Sequence, residues 1–545
     1  GLAARAPPKP PPPAWFRPLS GEGALTILGE TIPEAFIAQA LANPKDIVVA
    51  DDLAGALTYE RLLVGTLTLS RRLSALPGTN VGLMLPASVA CDMTFLGLHM
   101  VGKLPVLLNW TTGPANLVHA AQLMGLTHVV TSRAFIDRSG VTVEGVDYVF
   151  LEDLRQQISR LELLRTLLTV RLMPGRIRKQ VPRVQPEKPA MVLFTSGSER
   201  APKAVPLTHA NVMSELRSGI PFLRLTRRES LLGFLPAFHS FGIVATILLP
   251  VLGGMRVVYH PDPTDASGLA RKIAGYRPSL LMGTPTFISH IIERSQPGEL
   301  ASLRLIVVGA EKPPPALWDK CKRSAPQAAL IEGYGITECS LVVAINRAEA
   351  NRVGTVGQPL PGVEVRVVDL ETEQELPANR TGMLWVSGPT IFPGYLGYDG
   401  PSPFREQQGK RWYITGDLAE IDADGYIHLA GRLKRFLKAG GEMISLPALE
   451  EPFARLYPAA DEGPRVAVEG VEMDTGRRIV LFTTEKISVA EANALLLKEG
   501  FRGVMRLDEV RHLDSIPLLG TGKVDYKVLR AEIAGEKDAK AVTTR

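Results

Sequence analysis

The stretch that decides the fold reads Leu193-Phe-Thr-Ser-Gly-Ser-Glu-Arg-Ala-Pro-Lys203. Its approach, Ala190 to Phe194, is an unbroken apolar run of strand length, as expected for a strand buried on both faces. The run gives way to small hydroxyl residues and a glycine, and Lys203 closes the stretch. A strand ending in such a loop offers backbone N–H groups, hydroxyls and one ammonium to a polyphosphate. It is not a Walker loop, because the Gly-Lys-Ser/Thr ending is missing. The nearest look-alike, Gly520-Thr-Gly-Lys523, has Pro517 at the first-glycine position and Val524 after the lysine. No Gly-x-Gly-x-x-Gly fingerprint occurs, which argues against a dinucleotide enzyme.

Outward from this loop, residues 46 to 430 alternate β-rich runs with helix-length segments. Asp46-Ile-Val-Val-Ala50, Asn80-Val-Gly-Leu-Met-Leu85, His128-Val-Val-Thr131 and Arg304-Leu-Ile-Val-Val308 read as strands. That alternation predicts an α/β fold of parallel sheets covered by helices. After Gly431 a smaller α+β unit follows, with a strand at Arg478-Ile-Val-Leu-Phe-Thr-Thr484 and a helix from near Ser488. The expected organisation is a Pro-rich linker or arm over 1–25, a large N-terminal domain over 26–431 and a small C-terminal domain over 432–545. A chain of 545 residues exceeds what one core supports. The run Pro7-Pro-Lys-Pro-Pro-Pro-Pro13 is a stiff polyproline II segment, either an interdomain linker or a surface arm.

Composition narrows the class. A net charge of +5 makes no case for nucleic acid, and no such partner is expected. Cys91, Cys321 and Cys339 have neither metal-like spacing nor the makings of a disulfide framework, which suits a reducing, cytoplasmic setting. The uncharged run from Leu231 to Met255 is long enough to span a bilayer. Pro236, His239, Pro250 and Gly253-Gly254 interrupt it, so a buried segment lining an apolar pocket is expected.

One segment departs from its surroundings. Residues 155–183 hold eight Lys/Arg and one acid, Glu162, while Leu161, Leu164, Leu168 and Leu172 recur at helical spacing. This predicts a basic amphipathic helix ending near Pro174. Two readings stay open: a helix packed on its leucines with a solvated basic face, or a docking surface for an acidic partner or an anionic lipid surface.

The loop Thr195-Ser-Gly-Ser-Glu-Arg-Ala-Pro-Lys203 resembles the phosphate loop of the superfamily of adenylate-forming enzymes (ANL): acyl-CoA synthetases, peptide-synthetase adenylation domains and firefly-type luciferases. Six further segments fall in that superfamily's order, so the likeness covers about residues 30 to 533. The resemblance implies that Thr195, Ser196, Gly197, Ser198, Glu199 and Lys203 hold the ATP phosphates. Phe234-Leu-Pro-Ala-Phe-His-Ser-Phe-Gly242 resembles the motif whose histidine, His239 here, sits between acyl pocket and nucleotide. Gly309, Ala310 and Glu311 resemble the turn lining adenine. Gly333-Tyr-Gly-Ile-Thr-Glu338 resembles the adenylate motif: Tyr334 and Gly335 against the nucleotide, Thr337 on the α-phosphate and Glu338 on Mg²⁺. Asp417, in Tyr413-Ile-Thr-Gly-Asp417, and Arg432 correspond to the ribose carboxylate and a nearby guanidinium. Lys523, in Ile516-Pro-Leu-Leu-Gly-Thr-Gly-Lys523, corresponds to the catalytic lysine. Lys434 matches the hinge of a small domain that rotates between half-reactions, and Lys438, Gly440 and Gly441 the thiol-transfer state. Two departures stand out: Arg200 and Ala204 occupy positions where the family usually has glycine.

Leu108-Asn-Trp-Thr-Thr-Gly113, the Ser-Gly-Ser-Glu form of the loop, Gly309-Ala-Glu-Lys312 and Lys434-Arg-Phe-Leu-Lys-Ala-Gly-Gly-Glu-Met-Ile444 narrow the likeness. They resemble the ligase half of bacterial acyl-acyl-carrier-protein synthetases, which are often fused to a 2-acylglycerophosphoethanolamine acyltransferase. What this resemblance implies is activation of a long-chain fatty acid with ATP and Mg²⁺, then transfer to acyl carrier protein. It also implies a place in the cytoplasm or, peripherally, at the inner face of the bacterial membrane. Coenzyme A as acceptor is the alternative, and a non-catalytic acyl- or nucleotide-binding module a second.

Overall fold

The apolar run before the loop becomes the strand Pro189–Phe194, buried from Ala190 onward and paired antiparallel with Ala204–Thr208. The computed structural model describes residues 10–195, 202–439, 442–460, 463–473, 476–519 and 523–542. Of the residues singled out above, Ser196, Gly197, Ser198, Glu199, Arg200, Gly440 and Gly441 lie outside the described set.

Two compact units emerge. Among the described residues, the first is drawn from 10–195, 202–364 and 387–402, the second from 365–386 and 403–542. In the first unit, one sheet has the strand order Asp147–Phe150, His128–Thr131, Asn80–Leu83, Leu104–Leu107, Pro189–Phe194, Ala204–Thr208. Only the last pairing is antiparallel. The other sheet runs Gln358–Pro359, Val342–Ile345, Ala329–Gly335, Leu305–Val308, Leu280–Gly283, Ser230–Gly233, Arg256–Tyr259, Ile47–Asp51, Gly55–Thr58. Its six middle strands, from Ala329–Gly335 to Ile47–Asp51, are mutually parallel. Val- and Ile-rich runs bury both faces of these strands, as a helix-covered parallel sheet requires.

Chain order reverses at Ser230–Gly233. The next strand, Arg256–Tyr259, lies on one side of it, and the one after, Leu280–Gly283, on the other. In open α/β sheets such a switch point leaves a crevice beyond the carboxyl ends of the strands.

The Leu231–Met255 run is almost wholly buried, and the chain there forms a strand, a π-helical segment Phe241–Leu248 and a short helix Leu249–Gly253. Among the described residues, no helix is long and apolar enough to cross a membrane. Gly242 is fixed by space: a Cβ there would lie 2.0 Å from the Pro236 carbonyl oxygen. Near the amino end, Trp15 is buried against Tyr276, and its indole N–H donates to the Tyr276 carbonyl at 2.8 Å.

The basic segment departs from one of its two open readings. Its helix, Arg160–Leu172, does not pack on its leucines; Thr166 and Val170 are its buried residues, and the leucine stripe faces out. Pro174 ends that helix by starting another, Pro174–Gln180.

The second unit holds a five-stranded sheet of Glu364–Val368, Gly382–Ser387, Phe404–Gln407, Lys410–Ile421 and Ile427–Arg432. It also holds the hairpin Phe436–Ala439/Glu442–Ser445 and a three-stranded sheet of Val466–Met473, Gly476–Thr483 and Glu509–His512. The helix expected near Ser488 is Val489–Lys498, with Ser488 and Glu491 forming a reciprocal capping box.

Candidate active site

In the first unit the loops that leave the carboxyl ends of the strands carry most of the singled-out residues. Thr195 and Lys203 close the base of the phosphate-type loop. The Thr195 N–H donates to the Lys203 carbonyl at 3.1 Å, and the Lys203 N–H donates to Thr195 Oγ1 at 3.3 Å. Ala204, one of the two departures, opens a strand rather than sitting in the loop, with its methyl fully buried in the sheet core. The sheet core accommodates a side chain there.

The Lys203 ammonium lies 4.6 Å from the centre of the Tyr395 ring and 4.4 Å from that of Tyr398, a cation–π pair of contacts. The Tyr395 hydroxyl in turn donates to Glu338 Oε1 at 2.7 Å. One tyrosine thus links the cation and the carboxylate. Glu338 is buried on the 3₁₀ turn Thr337–Cys339. That turn is tied down where the Phe392 N–H donates to the Glu338 carbonyl at 2.8 Å and the Ser340 hydroxyl donates to the Thr390 carbonyl at 2.7 Å.

Tyr334 and Gly335 end the strand leading into this turn, with the Tyr334 ring buried. Gly335 admits no substitute, since its Cβ would meet the Leu341 carbonyl oxygen at 1.6 Å. Just past the adjacent strand Leu305–Val308, Gly309 faces Gly333, whose carbonyl oxygen a Cβ would meet at 3.1 Å. Ala310 follows in the left-handed region (φ 68°), an uncommon and strained conformation for a residue with a side chain. Glu311 Oε2 accepts from the Thr286 hydroxyl at 2.7 Å, which braces the turn. His239 follows the strand at the switch point. Its ring packs on Phe238, and Phe238 meets the Trp110 indole edge-on at 4.4 Å. Trp110 comes from the Leu108–Gly113 motif of the other sheet, so that motif reaches the His239 segment.

Behind this group runs the helix His209–Phe222. Its Asn211 amide donates to the Pro389 and Ile391 carbonyls at 2.8 and 3.0 Å. Its Glu215 Oε1 accepts the Val342 N–H at 2.9 Å, just past the Glu338 turn. Burial pushes the Glu215 carboxyl up to about 8 and that of Glu332 up to about 7.

In the second unit, Asp417 and Arg432 are partners on antiparallel strands, with Arg432 Nε 3.1 Å from Asp417 Oδ1. Asp417 is buried and Arg432 exposed, so the guanidinium caps a carboxylate held from within. The Asp417 N–H donates to Thr415 Oγ1 at 3.0 Å, and the Thr415 hydroxyl donates to the Leu384 carbonyl at 2.8 Å. Lys434 is exposed on the turn Leu433–Arg435, and its carbonyl accepts from Arg530 at 2.7 Å. The Lys438 backbone lies on the hairpin strand Phe436–Ala439. Lys523 is half-buried, and its carbonyl accepts the Leu519 N–H at 2.7 Å.

Among the described residues, no three acidic, histidine or cysteine side chains converge as a metal cage. The single carboxylate of Glu338, with one oxygen engaged by Tyr395, suits Mg²⁺. That ion typically takes one or two carboxylates and fills its remaining positions with phosphate and water.

Sequence reasoning missed Tyr395, Tyr398, Asn211 and Glu215. The two tyrosines carried a faint signal, as aromatics in the Gly/Pro-rich segment Phe392-Pro-Gly-Tyr-Leu-Gly-Tyr398. An acid within a helix carries none, because it reads as solvent-facing.

A family model described as AMP-binding enzyme matches residues 36–396, more than half of the chain. A long-chain-fatty-acid–CoA ligase from Escherichia coli is 24% identical over 495 residues, which cover 85% of this chain and 87% of that protein. A 4-coumarate–CoA ligase-like protein from Oryza sativa is 26% identical over 568 residues, covering 96% and 93%. In three dimensions the chain is similar to o-succinylbenzoate coenzyme A synthetase from Bacillus subtilis, solved with ATP and magnesium ion. The TM-score is 0.76 at 20% identity, with 90% of this chain and 98% of that one covered. At that identity the likeness establishes a shared fold.

Glu215 yields a pH prediction. Its folded pKa of about 8 stands above the ordinary 4.5, so the fold favours the neutral carboxyl. The stability this contributes is fully present below pH 4.5 and is lost as pH rises to about 8. Glu215→Gln keeps an acceptor for the Val342 N–H and removes the titration. Thermal melts across that window should show the wild-type midpoint falling more steeply than the variant's. Parallel curves would contradict the assignment.

Proposed function

The chain belongs to the AMP-binding enzyme family of adenylate-forming acyl ligases, and from that premise we propose that it activates a long-chain fatty acid as an acyl-AMP and transfers the acyl group to the phosphopantetheine thiol of acyl carrier protein. The observation that supports this best is the Lys203–Tyr395–Glu338 arrangement at the base of the 195–203 loop.

The chemistry sets a clear demand. A carboxylate must attack the α-phosphorus of ATP, so a negative nucleophile approaches a heavily negative electrophile. Lys203 and the loop amides would hold the phosphates, and Thr337 would bond the α-phosphate. Glu338 would hold Mg²⁺, which when bound screens phosphate charge. Tyr334 would pack on adenine, Asp417 and Arg432 would engage the ribose, and His239 would stand between acyl chain and nucleotide. Lys523 would stabilise charge at the bridging oxygen as pyrophosphate leaves. The thiol then attacks the mixed anhydride, giving a thioester and AMP. Rotation of the residues beyond 431 about Lys434, with Lys438, Gly440 and Gly441 serving the second step, belongs to the same reading.

The acceptor is supported by the 108–113, 309–312 and 434–444 motifs. Coenzyme A is the second reading, favoured by the name of the Escherichia coli relative. Peripheral contact with an anionic membrane through residues 155–183 completes the proposal.

Two tests follow. Tyr395→Phe keeps the ring under Lys203 but frees Glu338. A hydrogen bond to a charged group contributes about 1.5–3 kcal/mol, so half-maximal acyl-AMP formation should need at least about tenfold more Mg²⁺. An unchanged Mg²⁺ titration would remove Tyr395 from the site. The acceptor is tested with palmitate, ATP and Mg²⁺, offering holo-acyl carrier protein and coenzyme A in parallel, with Lys523→Ala as control. Thioester on the carrier protein supports the first reading, and thioester on coenzyme A alone replaces it with the second. No acyl-AMP in either reaction would point to another acid or, if ATP also fails to bind, to a non-catalytic module.

A further inference from the structure

The helix Arg160–Leu172 is exposed on its apolar side. Leu161, Leu164, Leu168 and Leu172 are 54, 51, 46 and 73% exposed, while Thr166 and Val170 on the opposite side are buried. At 3.6 residues per turn the four leucines fall within an arc of about 80°. Met173, 45% exposed, extends the ridge at its carboxyl end. Isolated surface leucines need no explanation; a contiguous ridge of them does.

The exposed charges of residues 155–183 share one sign. All eight Lys/Arg between Arg155 and Arg183 are exposed. The one acid among them, Glu162, turns away to pair with Arg71 and Arg72. On the helix surface, Arg165 flanks the leucines on one side and Arg160 and Arg171 on the other. The helix is also held in this orientation. Ser159 caps its amino end, the Arg71 guanidinium donates to Thr166 Oγ1 at 3.0 Å, and Arg171 pairs with Glu60 at 2.7 Å. Rolling the leucines inward would break every one of these contacts.

We propose that this helix, with the basic Pro174–Gln180 helix after it, is the surface by which the protein docks on an anionic phospholipid bilayer. The leucines enter the headgroup–acyl boundary, and the flanking guanidiniums lie at the level of the lipid phosphates. An acidic protein partner would satisfy the charges, but it would leave the outward leucine ridge unexplained. A basic, leucine-rich helix surface without aromatic anchors also departs from the composition of protein–protein interface cores. The proposal deepens the membrane-contact reading above and rests on it. It places the enzyme where long-chain fatty acids partition.

The test is flotation of the full chain with vesicles of phosphatidylcholine alone and of phosphatidylcholine mixed with phosphatidylglycerol, with no ATP or fatty acid present. Wild type should bind the anionic vesicles at least about tenfold better than the neutral ones, and added salt should weaken that binding. Leu164→Glu combined with Leu168→Glu should lower it at least about tenfold with the melting midpoint unchanged. Should that variant fold poorly, Arg176→Glu combined with Arg178→Glu, on the second helix, reads the electrostatic half of the same surface. Absence of wild-type binding to anionic vesicles, or full binding by both variants, would overturn the proposal. So would loss of acyl-carrier-protein capture by the leucine variant with vesicle binding intact, since the occupant would then be the protein. Vesicle binding by a chain that forms no acyl-AMP would sink the enzymatic reading and leave this one standing.

Discussion

The candidate site depends on a tyrosine that serves two opposite charges. The Tyr395 hydroxyl holds the Glu338 carboxylate at 2.7 Å while its ring, with that of Tyr398, faces the Lys203 ammonium. Left to themselves, a buried carboxylate and a nearby ammonium would pair directly and neutralise each other. An aromatic with a polar tip between them keeps each charge held yet addressable. That arrangement suits a site that must receive both phosphate oxygens and a cation.

The backbone around this contact has little room for change. Gly335 and Gly242 stand where a Cβ would collide with a carbonyl oxygen, at 1.6 and 2.0 Å respectively. The helix His209–Phe222 braces the same region from behind, through Asn211 on the 389–391 segment and Glu215 on Val342. A neutral carboxyl in that brace can accept the Val342 N–H without placing a second anion near Glu338. Strand order adds a switch at Ser230–Gly233, where the His239 segment leaves the sheet, and open α/β sheets place ligands beyond the carboxyl ends of the strands at such points.

Much of the α/β architecture was legible in sequence because buried parallel strands are apolar runs with sharp ends. His128–Thr131 lies where the sequence predicts it, and three other strands differ at their ends by one or two residues. Of the motif residues, Thr195, Lys203, Glu311, Tyr334 and Glu338 fall at strand ends or in the segments that adjoin them. Three kinds of information were not legible. Periodicity gives a helix two faces but does not say which one packs, so the leucines of Arg160–Leu172 were as easily read inward as outward. Contacts between distant segments, such as Tyr395 with Glu338, leave no trace in local spacing. Whether an added methyl crowds a loop or fills a core, as at Ala204, depends on where the strand begins.

The central claim, that this chain forms an acyl-adenylate, is tested most directly by exchange of labelled pyrophosphate into ATP in the presence of Mg²⁺ and a long-chain fatty acid, with no thiol added. Reversible adenylation alone supports such exchange, whichever acceptor serves the second step. The account predicts label in ATP that depends on the fatty acid and disappears in Glu338→Ala. ATP binding without fatty-acid-dependent exchange, across acids from short to long, would contradict it.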